Sequence, residues 1–152
     1  MVSCANQVTL TGGQKDELPP QMVASNPINN SVNFSAKEIR IEFNELIQVQ
    51  NAAQILVSPL VDKKIKYTVN GNFLLIKLED VLDDSTTYSF DFGKSLVDNN
   101  EGNPLNDFKF TVSTYDILDT ISINGFIKDA FSKEVGKEYL VGLYKSKGFM
   151  VD

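Results

Sequence analysis

One polar segment holds the side chains best suited to chemistry, Asp98-Asn99-Asn100-Glu101-Gly102-Asn103-Pro104. Carboxylate and amide oxygens are ligands that Ca²⁺ accepts in proteins. Asp98, Asn100 and Asn103 supply such oxygens close together in the chain. These three residues are therefore a candidate calcium set.

The spacing of this segment does not match an EF-hand loop. Such a loop needs Gly at its sixth position and Glu at its twelfth. Counted from Asp98, Gly102 is fifth and Lys109 is twelfth. Asp and Asn also cap turns by bonding to nearby backbone, and Gly supplies the positive φ that tight turns require. We interpret the segment first as a turn, in which Asp98, Gly102 and Asn103 are structural, and only second as a weak metal site.

The composition excludes most catalytic sites. The 152 residues include no His and one Cys, so no Ser-His-Asp triad, Cys-His pair, imidazole zinc site or internal disulfide is available. Two carboxylates alone can hydrolyse glycosides. However, Asp83-Asp84 falls in a predicted bend and Asp91 on the polar face of a predicted strand. We therefore expect a protein that is not an enzyme and has no cofactor.

The charge balance argues against nucleic acid as a partner. The chain has 14 Lys and Arg against 20 Asp and Glu, a net charge of −6. Affinity for nucleic acid comes mostly from cations that neutralise phosphates. The nearest basic cluster, Lys63-Lys64 with Lys66, has no aromatic stacking platform around it.

Alternating strands must position the polar segment. In Thr87–Phe92 the aromatic residues Tyr88, Phe90 and Phe92 alternate with polar ones, and Phe108–Thr114 shows the same period of two. This period places one apolar face on a core and one polar face in water.

Other strand-like runs arrive at the spacing that is typical of a β-sandwich. They are Met22–Ala24, Glu38–Phe43, Ile55–Ser58, Ile65–Val69 and Phe73–Leu78. Asn70-Gly71 predicts a type I′ hairpin turn between the last two. No segment has the length and period of a helix, so the pattern predicts an all-β antiparallel sandwich with Phe43 and Phe110 in its core.

The bend before Thr87–Phe92 predicts a tyrosine corner. A tight polar stretch, residues 82–86, leads into Tyr88 at the start of a strand. In a tyrosine corner the hydroxyl bonds back to nearby backbone. The alternative is an inward Tyr88 whose hydroxyl reaches water.

The N-terminus resembles the end of a bacterial lipoprotein signal, in which a Leu-small-small box precedes an acylated Cys. Val2, Ser3 and Cys4 fit this box, and Met1 stands where Leu is expected. The resemblance implies a lipid on Cys4, whereas the alternative is a small buried thiol. Gln7–Pro20 then has the Gly pair, the charges and the Pro pair of a flexible tether.

Residues 19–115 resemble a bacterial immunoglobulin-like (Ig-like) domain of the SbsA type. The pattern of that family begins with I-x-I-x-F-N/S-E, which Ile39–Glu45 carries. The later part of the pattern is carried, in order, by Leu82, Thr86, Tyr88, Asp98, Gly102, Asn103, Pro104, Phe108, Phe110 and Thr114. The resemblance implies an Ig-like antiparallel β-sandwich.

The first twenty residues are similar to the mature start of Bacteroidota-type lipoproteins that carry this domain. The matching features are Cys4, Thr11-Gly12-Gly13, Lys15-Asp16-Glu17 and Pro19-Pro20. The resemblance implies an extracytoplasmic protein that is lipid-anchored to the outer membrane, on its periplasmic or surface face. We therefore expect residues 1–18 to be a lipoprotein-type N-terminus and tether.

Residues 119–152 resemble the start of a second module. Ile121–Ala130 is similar to the opening of a carboxypeptidase-regulatory-like, transthyretin-like β-sandwich, and Tyr139–Tyr144 is similar to a later strand of it. About thirty residues are too few for a closed sandwich, so we expect an incomplete β module.

These features favour a non-catalytic cell-envelope module that acts as a structural spacer or a protein-interaction domain. The alternative is an accessory domain that binds a glycan or another ligand through loops at one end of the sandwich. The expected partners are the membrane, through a lipid on Cys4, and an envelope protein or glycan.

Overall fold

The computed structural model describes residues 15–61, 64–79, 82–121 and 125–131. Within that part of the chain, no helical segment has the length and hydropathy of a membrane span. One 3₁₀ turn occurs at Ala52–Gln54. The strands are β1 (Met22–Asn26), β2 (Glu38–Phe43), β3 (Ile47–Val49), β4 (Leu56–Ser58), β5 (Ile65–Asn70), β6 (Phe73–Leu78), β7 (Thr87–Asp91), β8 (Leu96–Asp98) and β9 (Lys109–Ser113).

Antiparallel pairing joins these strands into three sheets. The largest has the order β1-β2-β6-β5, the next has the order β4-β7-β9, and β3 pairs with β8. The two larger sheets are the layers of a sandwich, because β2, β6, β7 and β9 all bury alternate side chains. The predicted all-β antiparallel sandwich is confirmed.

The outer edge of β9 is covered by residues 30–34. Ser31 forms a parallel bridge with Val112, and the Ser113 N–H donates to the Ser31 carbonyl at 2.9 Å. Since β1 belongs to the four-stranded sheet, the first part of the chain pairs with both layers in succession.

Phenylalanine rings join the two layers in the interior. Phe43 of β2, Phe90 of β7 and Phe110 of β9 are all completely buried. The ring of Phe108 lies between the layers, with its centroid 5.9 Å from that of Phe43 and 5.4 Å from that of Phe92. Aromatic pairs of this kind contribute about 0.5–1.5 kcal/mol beyond the burial of their area.

The hairpin between β5 and β6 forms one residue later than predicted. Asn70 pairs with Phe73, so Gly71 and Asn72 are the two loop residues. Gly71 has φ +65° and Asn72 has a negative φ, which is the pattern of a type II′ turn. The predicted type I′ turn at Asn70-Gly71 is therefore wrong. This register is favoured over the predicted one because it needs positive φ only at Gly71, where the absence of Cβ removes the steric penalty.

The short strands β3 and β8 were not predicted. Each has three residues, too few for a period of two to be recognised. They pair with each other, so that Ile47 lies opposite Asp98. Asp98, predicted as the start of a turn, is therefore also the last residue of a strand.

The chain divides into two compact units, Met1–Asp119 and Thr120–Asp152. In the described part of the second unit, the side chains of Phe126 and Phe131 are 95% and 96% exposed. Residues 121 and 125–131 contain no strand. The expected strand Tyr139–Tyr144 lies outside the described residues, so the second β module stays a prediction.

The substitution Phe110→Ala tests the interior. Removing a fully buried ring leaves a cavity, so the free energy of unfolding should fall by about 3–5 kcal/mol in urea titrations followed by circular dichroism. Leu60→Ala is the control, because Leu60 is 77% exposed, and it should change stability by less than about 0.5 kcal/mol. Equal effects of the two substitutions would contradict the assigned core.

Candidate functional site

The Asp98 carboxylate organises the polar segment as a turn. Its Oδ1 accepts hydrogen bonds from the backbone N–H groups of Asn100 (2.8 Å), Glu101 (2.6 Å) and Gly102 (3.2 Å). Its Oδ2 accepts from the N–H of Asn103 at 2.7 Å. Gly102 has φ +79°, which brings these N–H groups to one side. The side chain of Asp98 is 1% exposed, and four donors satisfy its charge.

The hydrogen bonds decide the charge state of Asp98. Burial alone would raise its pKa, but the four backbone N–H groups lower the pKa to about 2. Nearby, the pKa of Glu45 is raised by burial and then by the charges of Asp98, Asp16 and Glu101. This end of the sandwich is therefore strongly acidic at neutral pH.

The candidate calcium ligands take part in the hydrogen bonds of the turn. Asp98 meets Asn103 through the backbone N–H of Asn103, whereas the Asn103 amide donates to the carbonyls of Asp16 (3.0 Å) and Leu18 (3.2 Å). Asn100 contributes its backbone N–H to the turn. Among the described residues, no group of three or more His, Cys, Asp or Glu is placed to hold a metal ion. The arrangement is that of a turn whose outer face holds the incoming chain.

Tyr88 fixes the bend at the opposite end. The Asp83 N–H donates to the Tyr88 hydroxyl at 3.1 Å, and the ring is 2% exposed. This is the hydrogen bond expected of a tyrosine corner. Thr114 reinforces it, because its hydroxyl donates to the Asp83 carbonyl at 2.7 Å and accepts from the Thr86 N–H at 3.1 Å.

The incoming chain is held beside the end of β2. The Gln21 N–H donates to Asn44 Oδ1 at 2.7 Å, and the Asn44 N–H donates to the Gln21 carbonyl at 3.0 Å. Phe43, next to Asn44, contacts Phe108, which directly precedes β9. The chain therefore enters the sandwich where β9 begins.

The outgoing chain is held where β9 ends. Thr87 pairs with Ser113, the last residue of β9. The Asp119 N–H donates to Thr87 Oγ1 at 3.0 Å, and the Tyr115 carbonyl accepts from the Asn33 N–H at 2.8 Å. The chain thus enters and leaves at opposite ends of the sandwich.

The described carboxylates that were considered as a catalytic pair have separate surroundings. Asp91 pairs with Lys109 at 3.1 Å, while Asp83 and Asp84 are exposed in the bend. Cys4 and Lys63 lie outside the described residues.

Two features were missed from sequence. One is the role of Asn44, which the sequence places only within the family pattern of Ile39–Glu45. The other is the pair formed by Arg40 and Phe73, in which the Arg40 Cζ lies 3.9 Å from the centre of the Phe73 ring. The alternation does place Arg40 outward, but it does not reveal that β2 pairs with β6.

The described residues form surface clefts, two of which bear on the candidate residues. One, of about 250 Å³, lies at the outgoing end between Lys37, Leu82 and Asp84. The other, of about 290 Å³, lies on the outer face of the four-stranded sheet around Arg40 and Phe73. Neither joins the carboxylates into a catalytic pair.

The chain belongs to the bacterial Ig-like domain family, whose model matches residues 16–112. This assignment confirms the Ig-like resemblance of the first unit. Domains of this family are typically non-catalytic and are generally extracellular or at the cell surface.

Solved structures that match part of the chain, each at a TM-score below 0.5, include three proteins. An L,D-transpeptidase from Mycobacterium smegmatis shares 10% identity at a TM-score of 0.41, with 63% of this chain and 40% of that chain covered. PcoC, a methionine-rich copper resistance protein from Escherichia coli, shares 16% at 0.42, with 61% and 95% covered. The N-terminal part of the bacterial S-layer protein SbsC shares 14% at 0.42, with 64% and 24% covered.

The aligned region thus spans less than half of the first and third of these proteins. No curated protein matches the chain.

The substitution Asp98→Asn tests the turn. An ionised Asp98 with a lowered pKa stabilises the fold above its ordinary pKa of 3.8, and this contribution is lost as the pH falls toward about 2. The variant should melt several degrees lower at pH 7, and the difference from the parent should shrink between pH 4 and pH 2.

The control is Asp84→Asn, because Asp84 is exposed and should show neither effect. Equal melting temperatures of Asp98→Asn and the parent at pH 7, or a difference that does not change with pH, would contradict the assignment.

Proposed function

We propose that this chain is a non-catalytic spacer of the cell envelope, held to the outer membrane by a lipid on Cys4. The observation that carries the proposal is that the chain enters and leaves the sandwich at opposite ends. A domain connected in this way adds its own length between whatever precedes it and whatever follows it. That the domain is an Ig-like module of a typically non-catalytic family rests on the family match.

The length that the domain adds is set by its strands. From Phe108 to Tyr115 the chain runs seven steps along β9, which is roughly 23 Å at 3.3 Å per residue. The incoming chain at Gln21 and the outgoing chain at Asp119 are hydrogen-bonded to the sandwich, at Asn44 and at Thr87. The domain therefore keeps its two ends at a fixed distance from each other.

The attachment of the incoming chain also supports a spacer. Pro20 is buried, and the Asn103 amide holds the carbonyls of Asp16 and Leu18. The first described residues are therefore held against the Asp98 turn. A tether that is fixed at its base orients the domain relative to its anchor.

The lipid on Cys4 is proposed from the sequence box at residues 1–4 and from the tether composition that follows it. Each buried methylene of an acyl chain contributes about 0.8 kcal/mol, so stable anchoring needs more than one chain. The periplasmic or surface face, and an envelope protein as the partner of the outgoing end, belong to the same proposal.

Distance measurements test the spacer. Spin labels at exposed positions 17 and 116, in a Cys4→Ser background, should give one narrow distance distribution centred above roughly 20 Å. Adding Asn103→Ala should broaden it, because the Asn103 amide holds Asp16 and Leu18. A distribution centred well below that distance, or one as broad as that of a flexible linker, would contradict opposite, fixed ends.

Fractionation tests the anchor. In cells expressing the complete gene, the protein should be found with the membrane, and mass spectrometry should show acyl chains on Cys4. Cys4→Ala should release the protein into the soluble fraction while leaving its circular dichroism unchanged. An unmodified Cys4, or a variant that stays with the membrane, would refute the lipid anchor and leave the spacer geometry untouched.

A further inference from the structure

The outer face of the four-stranded sheet carries a shallow groove with a mixed polar and apolar lining. Its volume is about 290 Å³, the lower end of the range for small-ligand sites. The lining residues are Glu38, Arg40, Thr68, Asn70, Phe73 and Leu75. These residues lie on β2, β5 and β6, so strands and not loops form the groove.

The Arg40 guanidinium lies over the Phe73 ring in this groove. Its Cζ lies 3.9 Å from the centre of the Phe73 ring, a cation–π contact. The neighbouring Glu38 pairs instead with Lys77, at 3.9 Å. Among the described residues, the Arg40 guanidinium makes no hydrogen bond or ion pair. The guanidinium is therefore positioned by the ring, and its N–H groups are unused.

A planar guanidinium with an unused edge suits a carboxylate. Two parallel N–H···O bonds match the two oxygens of that group, and prior fixation by Phe73 lowers the entropy lost on binding. The charges around the groove also favour a carboxylate. The same face carries Arg40, Lys66 and Lys77 against Glu38 and Glu42, a local excess of positive charge on a chain whose net charge is −6.

The groove also offers groups that suit hydroxyls. The register places Thr68 opposite Leu75 and Asn70 opposite Phe73 on the same face as Arg40. Within the described parts of the chain, the Thr68 hydroxyl and the Asn70 amide have no hydrogen-bond partner. Half-buried Leu75 supplies an apolar floor beside them.

We infer that this groove binds a carboxylate-bearing polysaccharide, with one sugar carboxylate on Arg40 and ring hydroxyls on Thr68 and Asn70. An acidic peptide fits less well. Arg40 lies on β2, which is inside the sheet between β1 and β6. The backbone beside Arg40 is therefore already paired and gives an extended peptide no main-chain hydrogen bonds there. The site lies on a sheet face and is separate from the loops at the ends of the sandwich.

Titration calorimetry with the full chain tests the inference, using a short oligogalacturonate as the probe. Saturable binding that weakens with added salt is expected. Arg40→Gln should weaken it by roughly tenfold or more, because charge-assisted hydrogen bonds are lost. Asn70→Ala should weaken it less. Lys109→Gln is the matched control, since it removes one positive charge on β9 of the other layer and should leave the affinity unchanged.

Four outcomes would overturn the inference. The first is no binding at millimolar probe, and the second is equal affinity of Arg40→Gln and Lys109→Gln. The third is equally tight binding of an oligoglutamate peptide, which would show that the sugar is not recognised. The carboxyl-reduced oligosaccharide should not bind, and binding as tight as that of the acidic form would remove Arg40 from the site. None of these results bears on the spacer or on Cys4.

Discussion

The structure depends on burying phenylalanine rings between two antiparallel layers. Phe43 at the end of β2, Phe92 after β7 and Phe108 before β9 meet at one place, although they are far apart in the sequence. This contact sets the two layers against each other at the end where the chain enters. The paths of β2 and β9 away from it then determine where every loop lies.

The polar features follow from this packing. Asp98 reaches its turn because β8 pairs with β3 beside the cluster, and its ionised carboxylate satisfies the backbone of a segment that has no strand partner. At the other end, the hydroxyl groups of Tyr88 and Thr114 form hydrogen bonds with the backbone of the bend at residues 83–86. These buried and half-buried polar groups thus hold the ends of the sandwich. The Arg40 guanidinium, in contrast, lies on the sheet face and makes no hydrogen bond or ion pair among the described residues.

Much of this fold was readable from residue patterns, because a period of two reports directly which face of a strand is buried. Glu38–Phe43 and Phe73–Leu78 have the predicted bounds, and Tyr88 bonds back to the bend that precedes it. The short strands β3 and β8 were missed because their pairing depends on tertiary contacts and not on a local pattern. The Asn70-Gly71 turn was misplaced since local propensity allows two registers, and cross-strand pairing chooses between them.

The polar segment shows a different limit. Composition indicated oxygen ligands at Asp98, Asn100 and Asn103. The structure shows that backbone N–H groups donate hydrogen bonds to the Asp98 carboxylate. It also shows that the Asn103 amide donates to the incoming chain. The stacking of Arg40 on Phe73 was likewise hidden, because it links strands β2 and β6, which are separated by three others in the sequence. Long-range pairing, and not residue type, decides what these side chains do.

The central claim is that the domain is a closed sandwich loaded through opposite ends. Force spectroscopy tests this claim most directly. Pulling between residues 15 and 119 loads the parallel contact between residues 30–34 and β9 along its length, so its hydrogen bonds must break together. Pulling between Lys64 and Glu79 opens the β5–β6 ladder one pair at a time. We predict one cooperative rupture in the first geometry, at a clearly higher force than in the second. Rupture at equal or lower force, or in several weak steps, would contradict the account.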